Sequence, residues 1–251
     1  MKISFRSLLT AALVAFSVFT VTARAQDAAL TDEVKSQVDA AVASGDTATL
    51  QTLVSNNPTM AATIANTVAT AALASVQGTP SAATVNTAVT LAQFAANVSS
   101  TTVNTAGAST SSVTLAAGAA SIAAQVAATP AVMTNAPAAA AAITNTVVQV
   151  AAVPAVIAAA PQVSLSIASS ANTVTSNTDV QAAAPAVVAS INTTVTTVVS
   201  DPTVQAVNPG LATQIAQNQQ TSQQQNQPTD NTTQQQPQTT DTRSTASPGN
   251  G

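Results

Sequence analysis

Residues 130–215 read PAVMTNAPAAAAAITNTVVQVAAV (130–153), PAVIAAAPQVSLSIASSANTVTSN (154–177), TDVQAAAPAVVASINTTVTTVVSD (178–201) and PTVQAVNPGLATQI (202–215), and laid one above another they share one register. Pro137, Pro161, Pro185 and Pro209 are each 24 apart, while Pro130, Pro154 and Pro202 form a second track whose missing member is Thr178. Apolar residues keep the same interval: Ile143, Ile167, Ile191 and Ile215 form one set, and Val126, Val150, Val174 and Val198 another. Two proline tracks and two aliphatic tracks with one period make a structural repeat, not mere low complexity.

Helix and strand are told apart by spacing within a unit. Val188, Ile191, Val195 and Val198 recur three and four apart, as do Ile143, Val147 and Val150, which is one face of a helix. On a wheel of about 100° per residue, Asn145 lies about 200° from Ile143 and is expected to face water. The prolines agree in phase, because proline is tolerated in the first helical turn and biases its predecessor against helix. Each unit is therefore expected to hold a short helix of about 6 residues, such as 130 to 136, and a longer one of about 15, such as 137 to 152. The rival is a β-solenoid, since β-branched side chains pack well on a pleated surface, and residues 192 to 199 are the stretch most able to pair as a strand. Against it, the Ala-rich units lack alternation, and proline twice per repeat would interrupt ladder hydrogen bonds. The expected fold is all-α, an Ala-rich, solenoid-like array of short-helix/long-helix units.

Working outward, an earlier copy fits without its prolines: Gln125-Val126-Ala127-Ala128 aligns with Gln149-Val150-Ala151-Ala152, and Val89-Thr90-Leu91-Ala92 parallels Val113-Thr114-Leu115-Ala116. Before that the register drifts, Pro58 and Pro80 being 22 apart. Residues 30 to 44 are expected to form a helix with Thr31 as N-cap, Asp32 and Glu33 near the positive end of its dipole, and Gly45 as stop. Asp46 or Thr47 would cap a second helix carrying Leu50, Leu53 and Val54, and Pro58 would begin a third with Ile64, Val68 and Leu73. This start resembles the helix-turn-helix of many solenoids, although the Thr-Pro-Leu-His signature of ankyrin repeats is missing from the chain. The expected organisation is a signal peptide (1–25), an N-terminal helical pair (26–57), the repeats (58–215) and a Gln/Thr/Asn/Pro-rich tail (216–251). That tail contains no Val, Leu, Ile, Met or aromatic residue. It is expected to be disordered, since burial cannot offset about 1–2 kcal/mol per residue of ordering entropy.

At the other end, Lys2 and Arg6 precede an uncharged stretch from Leu8 to Val21, and Ala23-Arg24-Ala25 offers the small-x-small pattern of a cleavage site. An uncleaved anchor is the alternative, but 14 residues cover about 21 Å against a hydrocarbon core of about 30 Å. Export to the periplasm or the extracellular space is expected, with no lipid anchor for want of Cys and no later stretch that reads as a spanning helix. Cleavage after Ala25 would leave two basic against nine acidic residues, a net charge of −7, and Phe94 as the only aromatic residue. Nucleic-acid binding needs clustered Lys/Arg and stacking aromatics, so it is disfavoured.

The chemical inventory is equally restrictive. The chain is 46% hydrophobic, 2% aromatic and 6% charged, with no Cys, His, Trp or Tyr. Disulfides, thiolate nucleophiles, His-bound metals and Ser-His-Asp catalysis are excluded. Asp32 and Glu33 could pair or hold Ca²⁺, but neighbours on a helix point about 100° apart and no oxygen-rich loop surrounds them. Asp179 and Asp201 stand at unit boundaries, where capping explains them. Asn97-Val98-Ser99, Asn192-Thr193-Thr194 and Asn231-Thr232-Thr233 match the N-glycosylation acceptor. No catalytic, cofactor-binding or metal-ligating residue is assigned, and no cofactor is implied.

The expected function is an exported, non-enzymatic structural or protein-interaction scaffold of the envelope or extracellular space. A stretch without charge from residue 47 to 178 has few gatekeepers, so self-association is open to it. The alternative is a membrane- or interface-associated helical protein. In composition alone the Ala/Thr-rich helices resemble the alanine-rich helical antifreeze class, which would imply a surface-active or ice-binding protein. That class spaces Thr at 11 on one flat face, whereas this chain repeats at 24 and interrupts its helices with proline.

Overall fold

A computed structural model describes residues 29–225, and all the regular structure in them is helical. The helices are α1 (Asp32–Ser44), α2 (Thr47–Asn56), α3 (Ala61–Ser75), α4 (Ala82–Val103), α5 (Thr110–Ala127), α6 (Pro130–Asn135), α7 (Pro137–Ala151), α8 (Pro154–Ala159), α9 (Pro161–Thr175), α10 (Thr178–Ala183), α11 (Pro185–Ser200), α12 (Pro202–Val207) and α13 (Pro209–Gln225). A 3₁₀ turn, Pro58–Met60, leads into α3. The proposed leader, Asp27 and the Asn231 acceptor lie outside the described residues.

Local chemistry sets the first boundaries. Thr31 accepts from the Val34 N–H at 3.3 Å, Asp46 accepts from Ala48 and Thr49 at 3.1 Å each, and Ser81 and Ser109 play the same part for α4 and α5. Gly45 ends α1 with φ +70, its N–H bonded to Val42 O and that of Asp46 to Ala41 O, the paired bonds of a Schellman motif. A Cβ on Gly45 would also meet Thr87 Cγ2 of α4 at 3.1 Å, so both conformation and packing ask for glycine.

From Pro130 onward, helices of 6 residues alternate with helices of 15 to 17. Proline opens all of them but α10, where Asn177 accepts from the Asp179 and Val180 N–H groups at 3.0 and 3.1 Å. Asp201 does the same for α12, from Thr203 at 2.8 Å and Val204 at 3.4 Å. Of the two boundary aspartates, only Asp201 is thus a cap, while Asp179 lies in the first turn beyond the capping Asn177. Residues 192–199, the stretch most apt for a strand, lie inside α11, where the apolar side chains fall on one helical stripe.

The three long helices α3, α4 and α5 all touch one another, and Ala65, Ala69, Ala92, Ala95, Ala116 and Ala120 on them are each fully buried. Methyl-sized side chains allow close approach, so many small contacts replace a few large ones. No short helix precedes α5; Gly107, with φ +77, turns the chain there instead. Beyond α5, each long helix touches the next and the next but one, so that α4, α7 and α11 form one row and α5, α9 and α13 a second. Short helices follow the same alternation, α6 and α10 in contact with each other and α8 with α12. The chain therefore returns to a row after two sequence units. The two tracks of Ile and Val are at most 2% exposed throughout and belong to the continuous core.

Three expectations need correction. Asn145 is half-buried and accepts from Ser190 Oγ of α11 at 3.2 Å; a long helix with neighbours in its own row and in the opposite one has no fully wet back. Residues 216–225 belong to α13, and Gln219 is only 3% exposed, because a helix started at Pro209 is easily continued by Gln and Ala, both good helix formers. Thr110–Ala127 is long and apolar enough to cross a membrane by length and composition, with half of it buried inside the chain.

Candidate functional site

The last turn of each long helix leaves carbonyls without an in-helix donor, and in α7, α9 and α11 one of them is satisfied by a side chain, once from a serine and twice from a glutamine. Ala151 O accepts from the buried Ser164 Oγ at 3.0 Å, Thr175 O from Gln181 Nε2 at 2.7 Å, and Val199 O from Gln205 Nε2 at 3.1 Å. Those three carbonyls are 24 apart, as are Gln181 and Gln205. The spacing of the two glutamines was visible in the sequence, but not the backbone atom that needed them.

The acidic residues are scattered among separate structural tasks. Asp39 pairs with Lys35 at 2.6 Å, the only ion pair among the described residues, with both side chains more than half exposed. The hydrogen bond and charge of Asp39 raise the Lys35 pKa above its ordinary value. Asp46 receives the Thr49 hydroxyl at 2.6 Å as well as the two backbone N–H groups. These bonds, the Thr49 hydroxyl first, lower its carboxyl below the usual range. Glu33 accepts from Gln37 at 3.5 Å and does not pair with Asp32. Among the described residues no three acidic groups converge on a possible metal position.

Two adjoining hollows run along the outer side of α4, about 530 Å³ between α2, α4 and α7 and about 420 Å³ between α2, α4 and the start of α5. Gln51 and Asn97 line both, so together they make one open trough. No charged residue lines it. Of the acceptor tripeptides, Asn97 is exposed in this trough, whereas Asn192 is buried within α11.

No protein-family model, no curated protein and no solved structure matches this chain.

Proposed function

We propose that the protein is an exported, non-enzymatic scaffold in which the helices from Pro130 onward form a solenoid-like array that presents an extended surface to a partner or to a second copy of the chain. Arrays of this kind hold together through neighbour interfaces and offer long faces for binding. The observation that carries the reading is the employment of the acidic side chains: Asp46 and Asp201 hold helix N-termini and Asp39 an exposed ion pair. The test is expression of the full chain with fractionation and N-terminal sequencing, followed by crosslinking on intact cells. The expected result is a mature chain starting at Gln26 outside the cytoplasm, captured by a reproducible partner or by itself. A cytoplasmic chain retaining Met1, or a turnover activity in the purified protein, overturns the reading.

A membrane- or interface-associated protein is the second reading, favoured by the apolar length of Thr110–Ala127. Co-sedimentation of the mature chain with neutral and anionic vesicles separates the two, since the scaffold stays in the supernatant.

A further inference from the structure

Ala141, Asn145 and Val148 lie four and three apart on α7, which makes them one stripe of the helix surface. The 24-residue register carries that stripe to Leu165, Ser169 and Asn172 on α9, to Ala189, Thr193 and Thr196 on α11, and to Thr213, Gln217 and Gln220 on α13. Its burial changes along the series. Ala141, Val148 and Leu165 are fully buried, and Asn145 meets Ser190 of α11, so on α7 and α9 the stripe is covered. On α11 and α13, the last described members of the two rows, all six residues are exposed. The chemistry changes with the burial, since five of those six side chains carry a hydroxyl or an amide and the sixth is alanine.

Asn172 shows what covering does to an amide in this stripe. Its Oδ1 is buried without a hydrogen-bond partner, and a buried acceptor left unpaired is destabilising. A further pair of helices laid over α11 and α13 would bury the Gln217 and Gln220 amides in the same way. In return it would gain the Ala189 methyl and no Val, Leu or Ile of the stripe, so little apolar burial would offset the lost hydration. We infer that this polar stripe closes the array: the end formed by α11 and α13 is built to refuse stacking against the same end of a second copy of the chain. The inference rests on the array reading and narrows it, because a second copy that binds must then be met elsewhere on the surface.

The test gives the end stripe the aliphatic character of the inner helices in one triple variant, Ala189→Leu, Thr213→Leu and Gln220→Val. Thr196 stays, because its hydroxyl reaches Gln219 Oε1 at 2.9 Å. A control variant makes the same three kinds of change at scattered exposed positions, Ala182→Leu, Thr52→Leu and Gln51→Val. Sedimentation velocity over a concentration series reads self-association of the purified mature chains, and amide hydrogen exchange at low and high concentration maps where copies meet. The expected result is an unmodified chain whose α11 and α13 exchange alike at both concentrations, and a triple variant that dimerises at least about tenfold more tightly than the control, with new protection in those two helices. Concentration-dependent protection of α11 and α13 in the unmodified chain overturns the inference, as does a folded triple variant that associates no more tightly than the control. Circular dichroism checks each fold, and the exchange map of the unmodified chain decides if the triple variant fails to fold. The array reading fails separately: exchange of α13 and α11 that is lost together with that of α3 to α5 in one global step denies the summed interfaces, whatever the copies do.

Discussion

At the scale of single residues, the carbonyls of Ala151, Thr175 and Val199 illustrate how a repeat keeps its backbone satisfied while its sequence drifts. Ser164 answers the first from the following long helix, and glutamines answer the other two from the short helix between. Ala116, Ala140 and Ala212 occupy the position of Ser164 in other units and are all buried, so Ser164→Ala fits without a clash. That variant should cost about 1–3 kcal/mol, the penalty of a buried carbonyl left unpaired, readable as a lower midpoint in urea at unchanged slope. Asp46 gives a pH dependence. Its carboxyl titrates lower in the folded chain than in the unfolded one, so its contribution is complete above the ordinary value of 3.8 and is lost as pH falls through the lowered one. The Ala48 and Thr49 amide resonances, followed from neutral to acid pH, should shift at that lowered value, ahead of global unfolding. In Asp46→Asn the same titration should vanish.

At the scale of elements, the short helices are too short to stand alone, since isolated helices need about 12–15 residues even in favourable sequences. They persist because proline or a side-chain cap opens them and because Val132, Val156, Val180 and Val204, each 0% exposed, anchor them in the core. The long helices differ by position. Ile167 in α9 has neighbours on all sides, and Ile167→Ala should cost about 2–5 kcal/mol and lower the whole transition measured by circular dichroism. Ile215→Ala removes the same atoms from α13, the last helix among the described residues. There the expected effect is loss of α13 alone, seen as faster amide exchange from 209 to 225 with the main melting temperature held. Polar substitution along the series supports this gradient. Val148, Asn172, Thr196 and Gln220 share one position, as do Met133, Ile157, Gln181 and Gln205, so polarity at both positions rises toward the last described helices.

For the molecule as a whole, the array proposed above predicts that stability sums over neighbour interfaces and that the loss of an end unit is local. A chain ending at Asp201 should keep the helical signal of α1 to α11 and melt a few degrees lower. Collapse of the entire circular dichroism signal would show a cooperativity that the interfaces between adjacent helices do not provide. The two rows explain why some expectations failed. Viewed as one helix against one neighbour, Asn145 faces water; in a row, it meets Ser190 of the helix two units on. Viewed by composition, residues 216–225 lack a core; in the second row, Thr196 Oγ1 reaches Gln219 Oε1 at 2.9 Å and the helix continues. The trough was invisible for the same reason, because Gln51, Asn97 and Ala142 are brought together only when α2, α4 and α7 meet.

What the residues determined alone was local: the helical stripe, the proline phase, the caps at Thr31, Asp46 and Asp201 and the stop at Gly45, all governed by interactions within a few positions of the chain. The 24-residue period also fixed which aliphatics would be buried, since every unit repeats the same face. Packing decided the rest. A helix touching its next and next-but-one neighbours has more than one buried side, and which polar groups then acquire partners depends on residues 13 to 53 positions away, a separation that no local periodicity encodes.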